Sequence, residues 1–269
     1  MKTLLIAPLL LWAAALPALA AEGRVYTPGP FDGITIDGSA EVRFTQGSVD
    51  QVFVEGDEQM QRGVTVEVRG GMLRVNSSGS WKFWSNQRLH LQVTARQLAR
   101  LTISGAADVH APGPLQGERL RVSISGAGLA RFDQLDVEQL VFSVSGAGDG
   151  QMAGRVGELN LTVSGKSDFQ GENLRAGKAR VSISGIGDAK VWATEELSIG
   201  VAGIGKVEYW GTPRVRPSTS GMATINARGP KPPLAPVAPL APVAPVAPAA
   251  DARPAAAPSP TAEPRPANR

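Results

Sequence analysis

Leu120-Arg-Val-Ser-Ile-Ser-Gly-Ala-Gly128 is followed by Leu140-Val-Phe-Ser-Val-Ser-Gly-Ala-Gly148. Leu159-Asn-Leu-Thr-Val-Ser-Gly-Lys-Ser167, Ala179-Arg-Val-Ser-Ile-Ser-Gly-Ile-Gly187 and Leu197-Ser-Ile-Gly-Val-Ala-Gly-Ile-Gly205 come next. Each unit is an apolar/polar alternation that ends on Ser-Gly or its echo. The Ser-Gly pairs begin at Ser104, Ser125, Ser145, Ser164 and Ser184, and Ala202-Gly203 and Ser220-Gly221 continue the series. The steps are 21, 20, 19, 20, 18 and 18 residues. A fixed period near twenty is the mark of a repeat architecture.

The alternation fixes the local structure. Leu120, Val122 and Ile124 face one way, and Arg121, Ser123 and Ser125 face the other, which is a strand with one buried face. Gly then stands where the chain must bend without a Cβ. A second short alternation follows at Ala130 and Phe132, Ala189 and Val191, and Val207 and Tyr209. A third apolar position recurs at Leu115, Leu135, Val156 and Leu174. Three inward segments separated by bends make one turn of a β-solenoid. A single unit cannot bury its own apolar face, whereas stacked units share a continuous core. At about 4.8 Å per strand, six coils build a rod of roughly 29 Å. A β-sandwich also fits short strands with frequent turns, but near-identical side chains at one period favour the solenoid.

Stacking accounts for the hydroxyls. Thr102, Ser123, Ser143, Thr162 and Ser182 are expected to line up as one outward row. Ser104, Ser125, Ser145, Ser164 and Ser184 are expected as a second, structural ladder beside the bend. Small hydroxyl residues at inter-strand distance bond to one another or to nearby backbone, and no base accompanies them to make a nucleophile.

Residues 1–20 read as a signal peptide. Lys2 is the basic start, Leu4 to Leu16 the apolar run, and Ala18-Leu19-Ala20 the small-residue cleavage site. The run is short for a membrane span, so no span is expected once it is removed. The chain has no Cys, which excludes disulfides, thiolate metal sites and a Cys-linked lipid. Formal charge is +3, and loss of Lys2 leaves +2, which does not suggest a nucleic-acid partner.

Residues 21–228 are read as one solenoid domain, regular over 99–221. In its first half, Gly33 to Phe44 predicts two strands about a bend at Asp37-Gly38. Gln51 to Glu55, Val64 to Val68, Met72 to Val75 and Leu89 to Val93 also alternate, and Gly70-Gly71 marks a hairpin. Asp57 to Gln61 fits one helical turn. Trp81, Phe83 and Trp84 interrupt the pattern. Aromatics are only 5% of the chain, so three within four residues make the best candidate ligand-contact site. The competing reading is a loop folded over the solenoid with its rings buried. Residues 229–269 hold 13 of the 21 prolines. With Pro236, Pro239, Pro242, Pro245 and Pro248 every third residue, this tail favours a disordered or polyproline II spacer.

A catalytic constellation is not assembled by spacing. His90 and His110 are the only histidines, and His90 alternates with Leu89 and Leu91 on the outward face of a strand. Asp108, Asp149, Asp168 and Asp188 each follow a Ser by four residues. They are read as solvated turn residues, with calcium binding and a pair of glycosidase carboxylates as sharper alternatives. No metal and no cofactor is expected.

Two features together carry a family resemblance. Phe31-Asp-Gly-Ile-Thr-Ile-Asp-Gly-Ser-Ala-Glu-Val-Arg-Phe-Thr-Gln-Gly47 and the Leu-x-Val-x-Ile-Ser-Gly-x-Gly repeats resemble the bacterial putative auto-transporter adhesin family, head GIN domain, over about residues 30–226. The resemblance implies an all-β, right-handed parallel β-helix in an exported protein, with no catalytic residues to carry over. The chain departs from an autotransporter in showing no run of alternating strands long enough for an outer-membrane barrel. The reading is a non-catalytic, exported envelope protein, periplasmic before surface or secreted, that presents its β-helix to an envelope glycan or protein. The alternative is a polysaccharide-acting enzyme on the same scaffold, which needs two carboxylates converging in a groove with Arg or Lys nearby.

Overall fold

The computed structural model describes residues 23–56, 63–77 and 89–231. The signal peptide, the helical turn at Asp57 to Gln61, the aromatic segment around Trp81 and all but the first residues of the proline tail lie outside the described residues. The fold is an all-β solenoid of about six turns with coils of about twenty residues, and no helix occurs among the described residues.

The regular part is a stack of long, bent strands: β9 (Ala106–Ile124), β10 (Ala127–Val144), β11 (Ala147–Val163), β12 (Lys166–Ile183) and β13 (Ile186–Val201). Each pairs in parallel with the next. Val122, Phe142, Leu161, Val181 and Ile199 are consecutive register partners, as are Ile124, Val144, Val163, Ile183 and Val201. All ten are buried. The repeat thus folds as the period implies, each unit completing the core of its neighbours.

The unequal steps of the repeat are absorbed mainly at one bend. Register shifts fall between Phe132 and Leu135, between Gln151 and Ala153, and between Gly171 and Arg175, at the bend after the second inward segment, and β12 has a further shift between Ala176 and Lys178 against β13. The face that ends on the Ser-Gly corner keeps strict register, from Leu140 to Val144 against Leu159 to Val163 and from Ala179 to Ile183 against Leu197 to Val201.

The first half joins the stack out of sequence order. β2 (Gly33–Asp37) and β3 (Ser39–Gln46) lie directly under β8 (Arg100–Ile103) and β9, pairing Ile36 with Ile103 and Ala40 with Ala107. Asp37-Gly38 therefore occupies the corner that Ser-Gly fills in later coils. One coil lower, β6 (Met72–Ser77) lies under β2 and β7 (Leu89–Ala95) under β3. Three antiparallel strands finish this end: β4 (Gln51–Glu55) on β7, β1 (Gly23–Tyr26) on β4, and β5 (Val64–Arg69) on β6. The β5–β6 hairpin turns on Gly70 and Gly71, with φ of 57° and 75°, the left-handed pair a two-residue hairpin demands. At the other end, β14 (Ile204–Trp210), β15 (Arg214–Thr219) and β16 (Met222–Ala227) close the stack.

Candidate functional site

The surface is built from rows, because a residue that faces outward in one coil sits over its register partner in the next. On the face that follows the Ser-Gly corner, one row reads Ala127, Ala147, Lys166, Ile186, Ile204 and Met222. Its last three members are exposed apolar side chains. They recur at a fixed offset after each corner, so column alignment of the repeats would have shown them.

The neighbouring row carries the acids. Leu129 stands between Asp108 and Asp149, and Asp168, Asp188, Lys206 and Thr224 continue it. Adjacent members are about 4.8 Å apart, the spacing of paired strands. Asp108 Oδ1 accepts the Leu129 N–H at 3.1 Å, Asp149 Oδ1 that of Asp168 at 2.8 Å, and Asp188 Oδ1 that of Lys206 at 3.2 Å. These carboxylates tie one coil to the next. Asp168 differs: its Oδ2 accepts from Gln170, and its Oδ1 is buried without a hydrogen-bond partner among the described residues. Asp149, Lys166, Asp168, Ile186 and Asp188 line one open groove of about 270 Å³. Among the described residues no group of His, Asp and Glu is arranged to hold a metal ion.

Both histidines lie on this face near the first coils. His90 pairs with Glu41 on one side and Glu55 on the other, with His90 Nδ1 3.5 Å from Glu41 Oε2. His110 donates Nε2–H to Asp133 Oδ2 at 2.8 Å, while Arg131 Nε donates to Asp133 Oδ1 at 2.8 Å. Partial burial pushes the Asp133 carboxyl up, but the hydrogen bonds from His110 and Arg131 outweigh it and hold the group below its ordinary value.

The corner itself is a continuous edge. Ser104, Ser125, Ser145, Ser164 and Ser184 are exposed along it. Their N–H groups donate to Ile36, Ile103, Ile124, Val144 and Val163 carbonyls of the coil beneath, at 2.8–3.0 Å. The Ser125 and Ser184 hydroxyls add bonds of 3.4 and 3.3 Å to the Ile103 and Val163 carbonyls. The outer hydroxyl row is also in register, from Thr35 through Thr102, Ser123, Ser143 and Thr162 to Ser182.

Trp81, Phe83 and Trp84 lie outside the described residues, yet their attachment points do not. Asn76 pairs with Asp37 and Leu89 with Ala40, so the segment between β6 and β7 leaves and re-enters the stack at the Ser-Gly corner, one coil below Gly38. The sequence alone carried no sign of this, because β2 and β6 are paired across a long stretch of chain.

This topology agrees with the comparisons. The family model described as putative auto-transporter adhesin, head GIN domain, matches residues 30–213. The chain belongs to this family. The GIN-domain fold recurs in the crystal structure of a putative adhesin from Bacteroides fragilis, 24% identical with a TM-score of 0.74, covering 78% of this chain and 98% of that one. A putative lipid binding protein from Parabacteroides distasonis is 20% identical with a TM-score of 0.60, covering 78% and 97%. A putative adhesin from Parabacteroides merdae is 17% identical with a TM-score of 0.56, also covering 78% and 97%. None of the curated proteins matches this GIN-domain chain.

Proposed function

We propose that this GIN-domain protein is an exported, non-catalytic binding module of the cell envelope, and that its Ser-Gly corner with the adjoining Trp81, Phe83 and Trp84 segment is the edge that meets a glycan or protein. The observation that carries this reading is positional. The one aromatic-rich insertion enters the stack at the corner where every coil turns. Aromatic side chains and a row of small hydroxyls suit sugar faces or a partner's loops. The adhesin names of the family and of two structural relatives point the same way. Export is supported by the basic start, apolar run and Ala18-Leu19-Ala20 of the first twenty residues. The test is glycan-array and envelope pull-down binding by the full chain and by a Trp81→Ala/Phe83→Ala/Trp84→Ala variant. Loss of binding at unchanged melting temperature supports the reading, and binding that survives the triple substitution removes it.

A second reading has one observation in its favour. Asp149, Asp168 and Asp188 share a groove with Lys166, and stacked carboxylates about 5–9.5 Å apart are what glycoside cleavage uses. Two of the three are engaged by backbone N–H groups, which favours a structural role. Release of reducing ends from envelope polysaccharide, abolished by Asp168→Asn, would select this reading over the first.

A further inference from the structure

Four strands have a partner on one side only among the described residues: β1, β5, β15 and β16. Open edges invite unwanted pairing, and proteins guard them with charges and proline. β1 carries Arg24, β5 carries Glu67 and Arg69, and β15 carries Arg214, Arg216 and Pro217. β16, Met222-Ala-Thr-Ile-Asn-Ala227, carries none of these.

The ladder parity sharpens the contrast. Ser220 N–H donates inward to Val201 O, so in β15 the alternate residues Val215, Pro217 and Thr219 turn their backbone groups to the open side. Pro217 thus places its missing N–H on the edge itself. Met222 and Arg228 N–H donate inward to Gly203 O and Tyr209 O, so Ala223, Ile225 and Ala227 present unblocked N–H and C=O groups outward. Ala223 and Ile225 also pack on the core with one side uncovered.

The described chain end leaves this edge free. Gly229 O accepts from Gly211 N–H, and Lys231 Nζ lies 5.6 Å and 5.3 Å from the Trp192 and Trp210 ring centroids. Lys231 also donates to Glu172 O and Asn173 Oδ1. The chain therefore runs back down the flank toward β12, away from β16.

We propose that β16 pairs edge to edge with β16 of a second copy of this chain, antiparallel about a two-fold axis at Ile225, joining two solenoids end to end. Ile225 then faces Ile225 of the second copy, and Ala223 faces its Ala227. The outward-facing residues form a closed, self-complementary set, and each such pair exchanges two backbone hydrogen bonds. The two apolar interiors become continuous across the axis. The charged strands β1 and β5 at the far end disfavour head-to-tail growth, so the assembly stops at two. One strand pair is a small interface, so association is weak.

The chain has no Cys, which makes the test specific. Residues opposed in a hydrogen-bonded antiparallel pair have Cα atoms about 5.5 Å apart, within disulfide reach. Full-length Ile225→Cys should cross-link to a covalent dimer under mild oxidation, and Thr224→Cys, one residue off the axis, should not. Sedimentation of the unsubstituted chain should show a monomer–dimer equilibrium that Thr224→Lys and Ala227→Pro each shift to monomer at unchanged melting temperature. A monomer up to about 100 µM, equal cross-linking by both Cys variants, or open-ended polymers would each overturn the proposal.

Discussion

Gly165 lies against the backbone of Gly146: a Cβ built on Gly165 would stand 1.9 Å from the Gly146 carbonyl oxygen. The same contact repeats up the corner, at 2.0 Å for Gly105 over Gly38, 2.1 Å for Gly146 over Gly126, and 1.9 Å for Gly185 over Gly165. Of this column only Gly38 has a positive φ. The repeat glycine is thus required by the coil beneath it, not by its own backbone angle. Gly165→Ala is expected to destabilise the fold by about 1–3 kcal/mol through forced separation of two coils. Gly117→Ala, with nothing among the described residues within 4 Å of its Cβ, should stay within about 0.5 kcal/mol. Urea unfolding of both variants checks the contrast.

The core shows a similar large-for-small exchange. Gly150 pairs with Phe169, which pairs with Ala189, so the wide ring is set between two small neighbours. Phe142 and Phe169 have centroids 5.2 Å apart at 56°. A Cβ on Gly150 would come 2.6 Å from the Phe142 ring and 2.9 Å from the Phe169 ring. Gly150→Ala should cost about 1–3 kcal/mol, and Phe142→Leu should cost less in the Gly150→Ala background than alone. A double-mutant cycle by thermal unfolding should give a coupling of about 0.5–3 kcal/mol, and simple additivity would show that the rings do not compete for that space.

The regular coils are legible in the sequence because each position repeats: Val122, Phe142, Leu161 and Val181 occupy the same place in successive units and pair in that order. The placement of Asp37-Gly38 under Ser104-Gly105 is not legible there, since a coil assembled from β2 and β3 is joined to the next only after β4 to β7 have been inserted. A repeat period relates neighbours in sequence, whereas hydrogen bonding joins neighbours in space. The candidate site divides the same way. The Ser rows follow from the repeat, but the attachment of the Trp81 segment to the corner depends on β6 lying under β2. The exposed Ile186, Ile204 and Met222 were within reach of the sequence, because they share one offset from the corner.

Gln46 shows what holds the out-of-order coil in place. Its buried amide donates from Nε2 to Arg96 O at 3.0 Å and to Gln116 O at 3.1 Å, and its Oε1 accepts from Gln116 N–H at 2.7 Å. One side chain thereby joins the end of β3 to the loop after β7 and to β9. Gln46→Ala leaves a backbone donor and two acceptors without that partner and should cost about 2–4 kcal/mol. Gln46→Glu keeps the acceptor but loses both donated bonds and sets a carboxylate against two carbonyl oxygens. It should cost at least as much at neutral pH, and partial recovery on acidification would identify the carboxylate as the cause.

The last coil carries its own pH dependence. Glu208 is nearly buried at 6% exposure and accepts from Arg228 Nη2 at 2.6 Å, with Lys206 Nζ on the same oxygen at 2.5 Å. The hydrogen bond from Arg228, then that from Lys206, hold the carboxyl down at about 2 from an ordinary 4.5, against the opposing effect of burial. A carboxyl lowered in the folded state stabilises the fold fully above its unfolded pKa, and the contribution is lost as pH falls through the folded value. Full stabilisation is therefore expected above about 4.5, with loss between there and about 2. Glu208→Gln should melt below the unsubstituted chain at neutral pH, and the gap should narrow on acidification through that window. Amide exchange should localise the difference to β14 and β16, because Lys206 and Glu208 belong to the first and Arg228 follows directly on the second. A gap that stayed constant from pH 7 to pH 2 would show that the loss comes from packing rather than from charge.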